Sequence, residues 1–540
     1  MPRIVVLDSI SQDGLDLLEA APGIEYEVIT GLKGEELRNT LMEFDGAICR
    51  SGVKITADVL EGNHRLKAIA RAGVGTDNID KNMATRLGII VMNTPGGNTL
   101  STAEHALALM LGLSRNIAPA YQSLIEGRWD RKLFMGTQLA GKTLGIIGLG
   151  RIGRAIAIRA RAMEMKLVGY DPFMSDTLAE EMGIKMFRSY RDMLPYCDYL
   201  TVHTPLTDET RGMISTEEIA MLPKGARLIN CARGGIYDEA AMVEGLKSGH
   251  LGGVALDVYP EEPCKSNPLF GMPNVLCTPH LGASTEEAQT NVALEAVELL
   301  IDYFTTGTIN SAVNMTPLDG KVLSEMKGSL LLAWRLGLLA SQLEKGRVTR
   351  CTINYRGEIA RKVTSLVSGA LAAGLLTKAT GGEANIVNAK MLLKERGIEL
   401  NEQKSSDRST FSSLITVELT TENGKTTIAG TLFGNSMARL VQVNDFRLEA
   451  YLDGNLCIFT HDDIPGVIGR IGTVFGRDNV NISQLSVGRP SSRTVGKALG
   501  VLGLDSKPPV AAISEFQKVE GVTKVIFAAL PEADETPDWL

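Results

Sequence analysis

The chain has 540 residues, of which 44% are hydrophobic and 22% charged, and its formal net charge is −8. At about 100–200 residues per domain, this length predicts three or four domains. The acidic balance disfavours nucleic acid as a partner, and no run approaches the ~18 apolar residues of a membrane helix. The first residues lack the apolar region of a signal peptide, which predicts a cytoplasmic location away from membranes. Seven scattered cysteines without a CxxC motif favour free thiols over disulfides or a metal site.

Residues 2–95 alternate short apolar runs with helical patterns, and this alternation is typical of a parallel α/β sheet. Helices are predicted at Gly14–Ala20 and Lys33–Met42, and a longer one runs from Ser101 to about Ser114. The predicted strands are Ile4–Leu7, Glu27–Thr30, Gly46–Cys49, Ala68–Arg71 and Ile89–Asn93.

A second alternating series follows and ends in a helix predicted at Ser284–Thr305. It contains six predicted strands, which is the number in a full dinucleotide-binding domain. They are Thr143–Ile147, Lys166–Tyr170, Tyr199–His203, Arg227–Asn230, Gly253–Leu256 and Val275–Thr278.

The last 220 or so residues have a different pattern, beginning after the boundary segment Asn314–Gly320. Residues 321–450 are first helical and then β-like, with a hairpin turn at Glu422–Gly424. From Asn455 the order is β-α-β-β-(α-β), which predicts a ferredoxin-like module. The acidic tail is predicted to be mobile. The predicted fold class is α/β: two Rossmann-like doubly wound domains, an α+β domain and a ferredoxin-like domain.

A glycine fingerprint, GLGRIG, lies between a predicted strand and a predicted helix. Gly148 allows the tight turn, Gly150 lets the backbone approach a pyrophosphate, and Gly153 lets helix and strand pack closely. The helix N-terminus then supplies donors to the anion. Eighteen residues after Gly153, Asp171 can accept from both ribose hydroxyls and repel a 2′-phosphate, which favours NAD. The alternative is a glycine-rich turn followed by a solvent-exposed aspartate.

Three chemically different side chains follow predicted strands of the second series, where open α/β sheets bind ligands. They are Arg233, Glu262 and His280. A histidine can take the proton of a hydroxyl group while hydride leaves the carbon, and a carboxylate can fix its tautomer. An arginine can bind a substrate carboxylate through two parallel hydrogen bonds. Each residue alone has an ordinary interpretation as a turn or surface residue, but together they predict a catalytic site.

The segments GLGRIG, HTPLTDETRGMI, NCARGGIYDEAA, ALDVYPEEP and TPHLGAST resemble those of the D-isomer-specific 2-hydroxyacid dehydrogenases. The resemblance implies two α/β domains with NAD in the cleft between them, the substrate domain coming first. It assigns the catalytic roles above to Arg233, Glu262 and His280. It also implies NAD contacts from Val74, Gly148, Gly150, Arg151, Ile152, Gly153, Asp171, His203, Thr204, Pro205, Cys231, Ala232, Asp257, His280, Gly282 and Ala283.

The substrate loops carry a further resemblance within this family. In CRSGVKIT, Arg50, Ser51 and Gly52 follow a strand end, where amides and a guanidinium can hold a phosphate; a plain turn is the alternative. RAGVGTDNID and MNTPGGNTLSTAEH match substrate-side loops, which implies that Gly73, Val74, Gly75, Asn98 and Arg233 lie near the substrate. The resemblance implies D-3-phosphoglycerate as this substrate.

The C-terminal segments resemble the regulatory parts of long-form family members. Residues 321–450 are similar to an intervening domain that binds an anionic effector, so Arg439 and Arg447 are anion-contact candidates or ordinary solvated arginines. HDDIPGVIGRIGTVFGRDNVNI resembles an ACT domain, which binds amino acids between paired copies. It implies L-serine as effector, with His461, Asp463 and Asn481 at that site, and a homotetramer. The alternative is a module used only for assembly.

The resemblance divides the chain into parts. A discontinuous substrate domain covers 1–97 and 285–316, the NAD-binding domain 98–284, the intervening domain 317–452, the ACT domain 453–531 and the tail 532–540. The expected reaction is NAD-dependent oxidation of D-3-phosphoglycerate in serine biosynthesis. Two alternatives stay open: a reductase for another 2-oxo acid such as 2-oxoglutarate, and an NAD-sensing scaffold like the C-terminal binding protein corepressors.

Overall fold

Three β-sheets organise the chain in the computed structural model, which describes residues 1–344, 346–407, 410–490 and 496–540. The first two sheets are parallel and the third is mixed. The predicted α/β class with two Rossmann-like units is therefore confirmed. Within the described residues, no helix combines the length and apolar character needed to cross a membrane.

The first sheet has the doubly wound order β2-β1-β3-β4-β5. Its central strands are buried along their length, as expected when helices cover both faces of a parallel sheet. The strands are β1 Arg3–Val6, β2 Glu25–Val28, β3 Gly46–Cys49, β4 Ala68–Arg71 and β5 Ile90–Asn93, and the helices are α1 Gln12–Glu19, α2 Gly34–Leu41, α3 Ala57–Leu60 and α4 Lys81–Arg86.

Two helices, α5 Thr99–Ser114 and α6 Ile117–Ile125, lead to the second sheet. This sheet has seven strands, in the order β12-β11-β10-β9-β6-β7-β8, so the expectation of six was wrong. The missed strand, β8, is at the edge and has only three residues, too few to show an alternating pattern. The strands are β6 Thr143–Ile147, β7 Lys166–Tyr170, β8 Ile184–Met186, β9 Tyr199–Val202, β10 Ala226–Asn230, β11 Leu251–Leu256 and β12 Val275–Cys277.

The helices of the second sheet are α7 Arg151–Ala162, α8 Asp176–Glu181, α9 Tyr190–Met193, α10 Thr216–Met221 and α11 Glu239–Lys247. The next helix, α12 Glu286–Thr306, returns to the first sheet. Its buried side chains Val292, Ala296 and Leu300 share one core with residues of β1 and β4. The chain thus crosses between the two sheets twice, through α5 and through α12, and these crossings border the cleft.

The third sheet has ten strands in the described part of the chain, in the order β14-β13-β15-β16-β17-β18-β20-β21-β19-β22. Its first part comprises α13 Gly320–Leu343, β13 Val348–Gly357, α14 Thr364–Thr380, α15 Ala389–Glu395, β14 Glu399–Ser405, β15 Ser413–Thr421, β16 Gly424–Phe433, β17 Met437–Val443 and β18 Phe446–Tyr451. Its second part comprises β19 Asn455–Asp462, α16 Val467–Arg477, β20 Ile482–Pro490, β21 Lys497–Leu504, α17 Val510–Phe516 and β22 Val522–Ala529.

The last six elements have the predicted β-α-β-β-α-β order. Strands β18 and β20 pair antiparallel, with Phe446 opposite Pro490 and Arg447 opposite Arg489. The two C-terminal units expected from the sequence therefore share one continuous sheet. The sequence could not indicate this, because the pairing joins residues about 43 positions apart.

The C-terminal tail is packed, against the prediction of mobility. Arg335 of α13 is buried and donates hydrogen bonds to the carbonyl oxygens of Leu452, Pro531, Glu532 and Glu535. The last two side chains of the chain also pack against the core. Its acidic composition suggested a solvated tail, but the hydrogen bonds use backbone carbonyls, which every sequence has.

Candidate active site

The loop between β6 and α7 has the backbone that its three glycines predict. Gly148 has φ +90°, and a Cβ there would lie 2.5 Å from the carbonyl oxygen of His203. A Cβ at Gly153 would lie 2.1 Å from the carbonyl oxygen of Gly148. In contrast, nothing lies within 4 Å of a Cβ at Gly150. Two glycines therefore allow close packing, and the third faces open space in front of α7.

This open space suits a dinucleotide. No side chain caps α7 at Gly150, so the first amides of the helix are available to an anion. The Nδ1 atom of His203 and the hydroxyl of Thr204 are buried and have no hydrogen-bond partner in the described protein. Burial lowers the pKa of His203 to about 3, so its ring is neutral. Buried unsatisfied polar atoms require an explanation, and a polar ligand beside them provides one.

Asp171 lies at the end of β7, as predicted, and also stabilises the loop. Its Oδ2 atom accepts a hydrogen bond from the amide of Leu149 at 2.7 Å, and Oδ1 accepts from the amide of Phe173 at 2.7 Å. The carboxylate is thus fixed beside the glycine loop before any ribose binds. The sequence did not reveal this second role.

The other predicted cofactor residues belong to neighbouring loops. After β10, the amide of Ala232 donates to Asn230 at 3.0 Å, and the adjacent Cys231 is buried, which raises its thiol pKa. The carbonyl of Pro205 accepts from Thr210, and that of Ala283 from Gln289. Asn93 donates to the carbonyl of Val74 at 2.6 Å.

Two predicted cofactor residues lie in α7 itself. Ile152 packs against the core, whereas Arg151 is exposed and its charge reaches Glu295 of α12.

His280 and Glu262 form the predicted pair. The Nδ1 atom of His280 lies 2.6 Å from Oε2 of Glu262, whose Oε1 accepts from the amide of Tyr259 at 3.0 Å. Burial raises the pKa of Glu262, but the bonds from His280 and Tyr259, with the charges of His280 and Arg233, outweigh it, so the pKa is lowered. Glu262 is therefore an anion that fixes the ring of His280 and leaves Nε2 facing away from it.

Asp257 organises the loop that carries His280. This carboxylate is fully buried. It accepts from the Thr278 hydroxyl at 2.6 Å, from the amides of Leu281 and Gly282 at 2.7 and 2.9 Å, and contacts Nε2 of His105 at 3.1 Å. Burial raises its pKa, but the bonds from His105, Thr278 and Leu281 outweigh this and lower it. His105 was not predicted as a site residue, because a lone histidine inside a helix is not part of a recognisable motif.

Arg233 reaches across the cleft to the first sheet. Its Nε donates to Oδ2 of Asp77 at 2.9 Å, and NH1 donates to the carbonyl of Ala232 at 2.6 Å. A Cβ at Gly75 would lie 1.9 Å from NH2, so only glycine allows the guanidinium this close to the loop. The predicted neighbours Gly75 and Arg233 therefore do meet.

In the loop Arg50–Ser51–Gly52, the backbone amide and the guanidinium of Arg50 have partners within the chain. The amide of Arg50 donates to Asp8 at 2.6 Å, and its guanidinium donates to the carbonyl of Ser9 at 3.0 Å. A Cβ at Gly52 would lie 2.6 Å from the same Asp8 carboxylate. The Asp8 carboxylate therefore lies against the loop that is predicted to bind a phosphate. The guanidinium still lines a cleft of about 680 Å³ with residues 284–286, 289 and 290.

Arg71 is a functional candidate that the sequence analysis missed. It ends β4, and its Nε atom is buried without a hydrogen-bond partner in the described structure. Burial lowers its pKa, although the negative charge of Asp77 opposes this, and Arg50 and Arg233 are close enough to lower it further. Beside it, Gly73 has φ +142° and leaves room for this guanidinium. Arg71 could have been identified from its place at the end of a predicted strand, because Arg233 was identified from a similar position.

One further predicted substrate residue, Asn98, precedes α5. Its Oδ1 atom is buried and has no hydrogen-bond partner in the described residues, and its side chain does not cap the helix. An amide in this state is available to a ligand in the cleft.

The predicted effector residues lie at the ends of β19 and β20, and each has a partner of its own. Asp463 pairs with Arg489 at 2.7 Å, whereas Asn481 donates to Asp505 at 2.7 Å. His461 is buried and contacts the carbonyl of Asp462 through Nδ1. In the first part of that sheet, Arg439 is largely buried over the ring of Tyr451 at 4.1 Å, and Arg447 is exposed.

Comparison with known proteins gives consistent matches. Residues 107–282 match the D-isomer specific 2-hydroxyacid dehydrogenase, NAD binding domain, and residues 325–444 match the D-3-phosphoglycerate dehydrogenase intervening domain. The chain is 40% identical to the D-3-phosphoglycerate dehydrogenase of Archaeoglobus fulgidus, over 98% of this chain and 100% of the relative. Identity to the Bacillus subtilis D-3-phosphoglycerate dehydrogenase is also 40%, with the same coverage.

Solved structures are similar to more than half of the chain. The NAD+-bound 3-phosphoglycerate dehydrogenase of Entamoeba histolytica is 30% identical, with a TM-score of 0.50 over 58% of this chain and 99% of that chain. The apo D-lactate dehydrogenase of Escherichia coli is 27% identical, with a TM-score of 0.51 over 58% and 99%.

Proposed function

The chain belongs to the D-isomer specific 2-hydroxyacid dehydrogenases, which are NAD-dependent enzymes, and from this premise we propose that it oxidises D-3-phosphoglycerate to 3-phosphohydroxypyruvate. This reaction would begin L-serine biosynthesis. The observation that carries the proposal is the His280–Glu262 pair at 2.6 Å beside two arginines, Arg233 and Arg71, in one cleft. The similarity of relatives over nearly the whole chain supports the same substrate.

His280 acts as the base in the proposed mechanism. With its Nδ1 proton donated to Glu262, its Nε2 lone pair is free to take the proton of the substrate hydroxyl. The imidazolium that forms is stabilised by the Glu262 carboxylate, which the amide of Tyr259 holds in place. NAD, when bound, supplies the acceptor for the hydride that leaves the same carbon. In the reverse direction, His280 returns the proton.

The two arginines divide the recognition of the substrate. Arg233 orients the carboxylate, since its guanidinium borders the same loops as the His280–Glu262 pair. Arg71 binds the phosphate: its buried, unpartnered Nε lacks a ligand that an anion would supply. Arg50, on the cleft wall, adds positive charge. Because the amide of Arg50 already donates to Asp8, we assign the phosphate contacts to the guanidinium groups.

The cofactor is NAD, and we assign its selection over NADP to Asp171. Its carboxylate lies at the end of β7, fixed by the amides of Leu149 and Phe173. It would accept from the ribose hydroxyls and repel a phosphate at the 2′ position.

A substrate comparison tests the proposed reaction. We expect turnover of D-3-phosphoglycerate with NAD, much weaker turnover of D-glycerate, which lacks the phosphate, and weak turnover of D-2-hydroxyglutarate. Arg71→Met should raise KM for D-3-phosphoglycerate and leave KM for D-glycerate nearly unchanged. Equal kcat/KM values for phosphorylated and unphosphorylated acids would refute the phosphate assignment. Preferential turnover of D-2-hydroxyglutarate would instead support the 2-oxo acid alternative.

The C-terminal module is proposed to be an ACT domain that binds L-serine and regulates turnover. Its β-α-β-β-α-β order and the turn at Gly466, with φ +89°, support this. Because β20 already pairs with β18 of its own chain, paired copies would meet through another edge or face. Turnover measured with and without L-serine tests the proposal, and no change at saturating L-serine would contradict it. Asp463→Ala should then weaken inhibition without changing basal kcat.

A homotetramer is proposed for the assembled protein. Exposed apolar side chains on α6 and on the segment that follows it support self-association, because monomers rarely expose such patches. Its exposed side chains, each more than half accessible, are Ile117, Tyr121, Leu124, Ile125, Trp129, Leu133 and Met135. Light scattering measures the mass in solution. Replacing Trp129 and Leu133 by serine should shift the mass downward, whereas a monomeric parent protein would contradict the proposal.

A further inference from the structure

Asp77, in the loop that follows β4, forms an ion pair with Arg233. We propose that Asp77 is a positioning residue that holds the Arg233 guanidinium in the orientation that receives the substrate carboxylate. The inference rests on the proposed role of Arg233. It assigns a function to the GVGTDN loop beyond its nearness to the substrate.

Two nitrogens of the Arg233 guanidinium donate hydrogen bonds within the protein, and the third, NH2, is left for a ligand. Nε donates to Asp77 at 2.9 Å, and NH1 donates to the carbonyl of Ala232 at 2.6 Å. NH2 lies beside Gly75 without a side chain between them. Asp77 follows β4 and Arg233 follows β10, so the ion pair joins the two walls of the cleft.

Asp77 lies on a loop that hydrogen bonds hold in place. Asn78 donates to the carbonyls of Arg50 and Val53 at 2.8 and 2.7 Å, and the amide of Gly73 donates to Thr94 at 2.6 Å. The arginine side chain, in contrast, has several rotatable bonds and loses entropy when a ligand immobilises it. A rigid carboxylate that orients the guanidinium beforehand reduces this cost at the moment of binding.

Asp77 also keeps Arg233 away from a competing partner. The positive charge of Arg233 already contributes to lowering the pKa of Glu262, so the two side chains are close. Without Asp77, Arg233 would still be attracted by Glu262, the partner of His280. Arg233 would then be drawn from the substrate toward the acid/base pair. Asp77 is mostly exposed, with 69% of its side chain accessible, so its contribution to stability is small and its effect is on function.

Asp77→Ala and Asp77→Asn test the inference, with Asp176→Asn as the matched control. Asp176 pairs with Arg188 at the same 2.9 Å distance, on an exposed surface away from the cleft. For the hydroxy acid that the wild type oxidises, we expect Asp77→Ala to raise KM by roughly 10-fold and lower kcat/KM by about 10–100-fold, since small displacements of positioning groups are costly. Asp77→Asn should lose less, because its amide oxygen still accepts from Nε. The control should match wild type.

Separate measurements exclude a merely structural effect. The Kd of NAD and the melting temperature should be unchanged in Asp77→Ala, while the Kd of phosphoglycolate, an unreactive acid with a phosphate, should rise in parallel with KM. In an Arg233→Lys background, Asp77→Ala should change kcat/KM by less than about twofold, since coupled residues are not additive.

Each alternative outcome has a distinct meaning. If Arg233→Lys impairs turnover but Asp77→Ala leaves KM and the phosphoglycolate Kd within twofold of wild type, the inference is overturned and the proposed function stands. A parallel loss of NAD affinity and melting temperature in Asp77→Ala would also overturn it, because it would show a structural role. If Arg233→Lys itself has wild-type kcat/KM, the proposed clamp fails first.

Discussion

The replacement Asp257→Asn tests the link between a buried carboxylate and catalysis. Asp257 accepts from two backbone amides, from Thr278 and from His105, all on or beside the loop that carries His280. Hydrogen bonds to a buried charged group contribute about 1.5–3 kcal/mol each, and disrupting a buried charged network costs roughly 3–5 kcal/mol. An asparagine of the same shape has one acceptor oxygen, and its NH2 group would face donors.

Two effects are expected from this change. The free energy of unfolding should fall by about 3–5 kcal/mol, measured by denaturant unfolding. Because a shift of the His280 loop by about 1 Å misaligns the base, kcat should fall by roughly 100-fold. Asp198→Asn is the control: Asp198 accepts from the amide of Thr143 at 2.8 Å, before β9 and away from the catalytic loop, so only stability should fall.

The stability of Asp257→Asn should also depend on pH differently from that of the wild type. The pKa of Asp257 is lowered in the folded state, so its contribution to stability is fully present above the unfolded value of about 3.9. It is lost as the pH falls through the lower folded-state pKa. Stability should therefore decline less steeply below about pH 4 in Asp257→Asn than in the wild type. A kcat within twofold of wild type, despite reduced stability, would refute the coupling to His280.

Three further changes give distinct outcomes. Glu262→Gln should lower kcat by about 100-fold with an unchanged Kd for NAD, because the imidazolium of His280 loses its anionic partner; an unchanged kcat would contradict the pair's role. Asp171→Ser should reduce the preference for NAD over NADP in steady-state assays, and an unaltered ratio would remove Asp171 from cofactor selection. Arg335→Leu removes the donor to four backbone carbonyls, three of them in residues 531–535, so limited proteolysis should cut near Glu532 faster than in wild type. Equal cleavage rates would show that Arg335 does not hold the tail.

Much of the first two sheets follows from local pattern. Parallel strands buried on both faces appear as short apolar runs, and all five strands of the first sheet were predicted within about two residues. Edge strand β8 was missed, because three residues carry no periodicity. The mobile tail was a wrong prediction for a related reason: Arg335 binds it through backbone carbonyls, which composition does not reveal.

The candidate site divides in the same way. Arg233, Glu262 and His280 were identified because each follows a strand, and the carboxyl ends of parallel strands meet at one edge. Arg71 occupies an equivalent position in the first sheet but was overlooked, since only the folded structure shows that its Nε atom is buried without a partner among the described residues. At the Arg50 loop, the amide of Arg50 donates to the Asp8 carboxylate, a pairing that the sequence did not indicate.

The order of the parts, the glycine loop, the acid at Asp171 and the three catalytic residue types follow from the sequence, because these depend on short-range spacing. Tertiary structure alone decided which groups pair: His280 with Glu262, Arg233 with Asp77, Asp257 with the catalytic loop, and β18 with β20. These partners lie between 18 and 156 residues apart, and only the packing of the sheets brings them within hydrogen-bond distance. Ionic and hydrogen-bond interactions act over a few ångströms. The separation of two residues along the chain therefore does not show whether they pair in the folded protein.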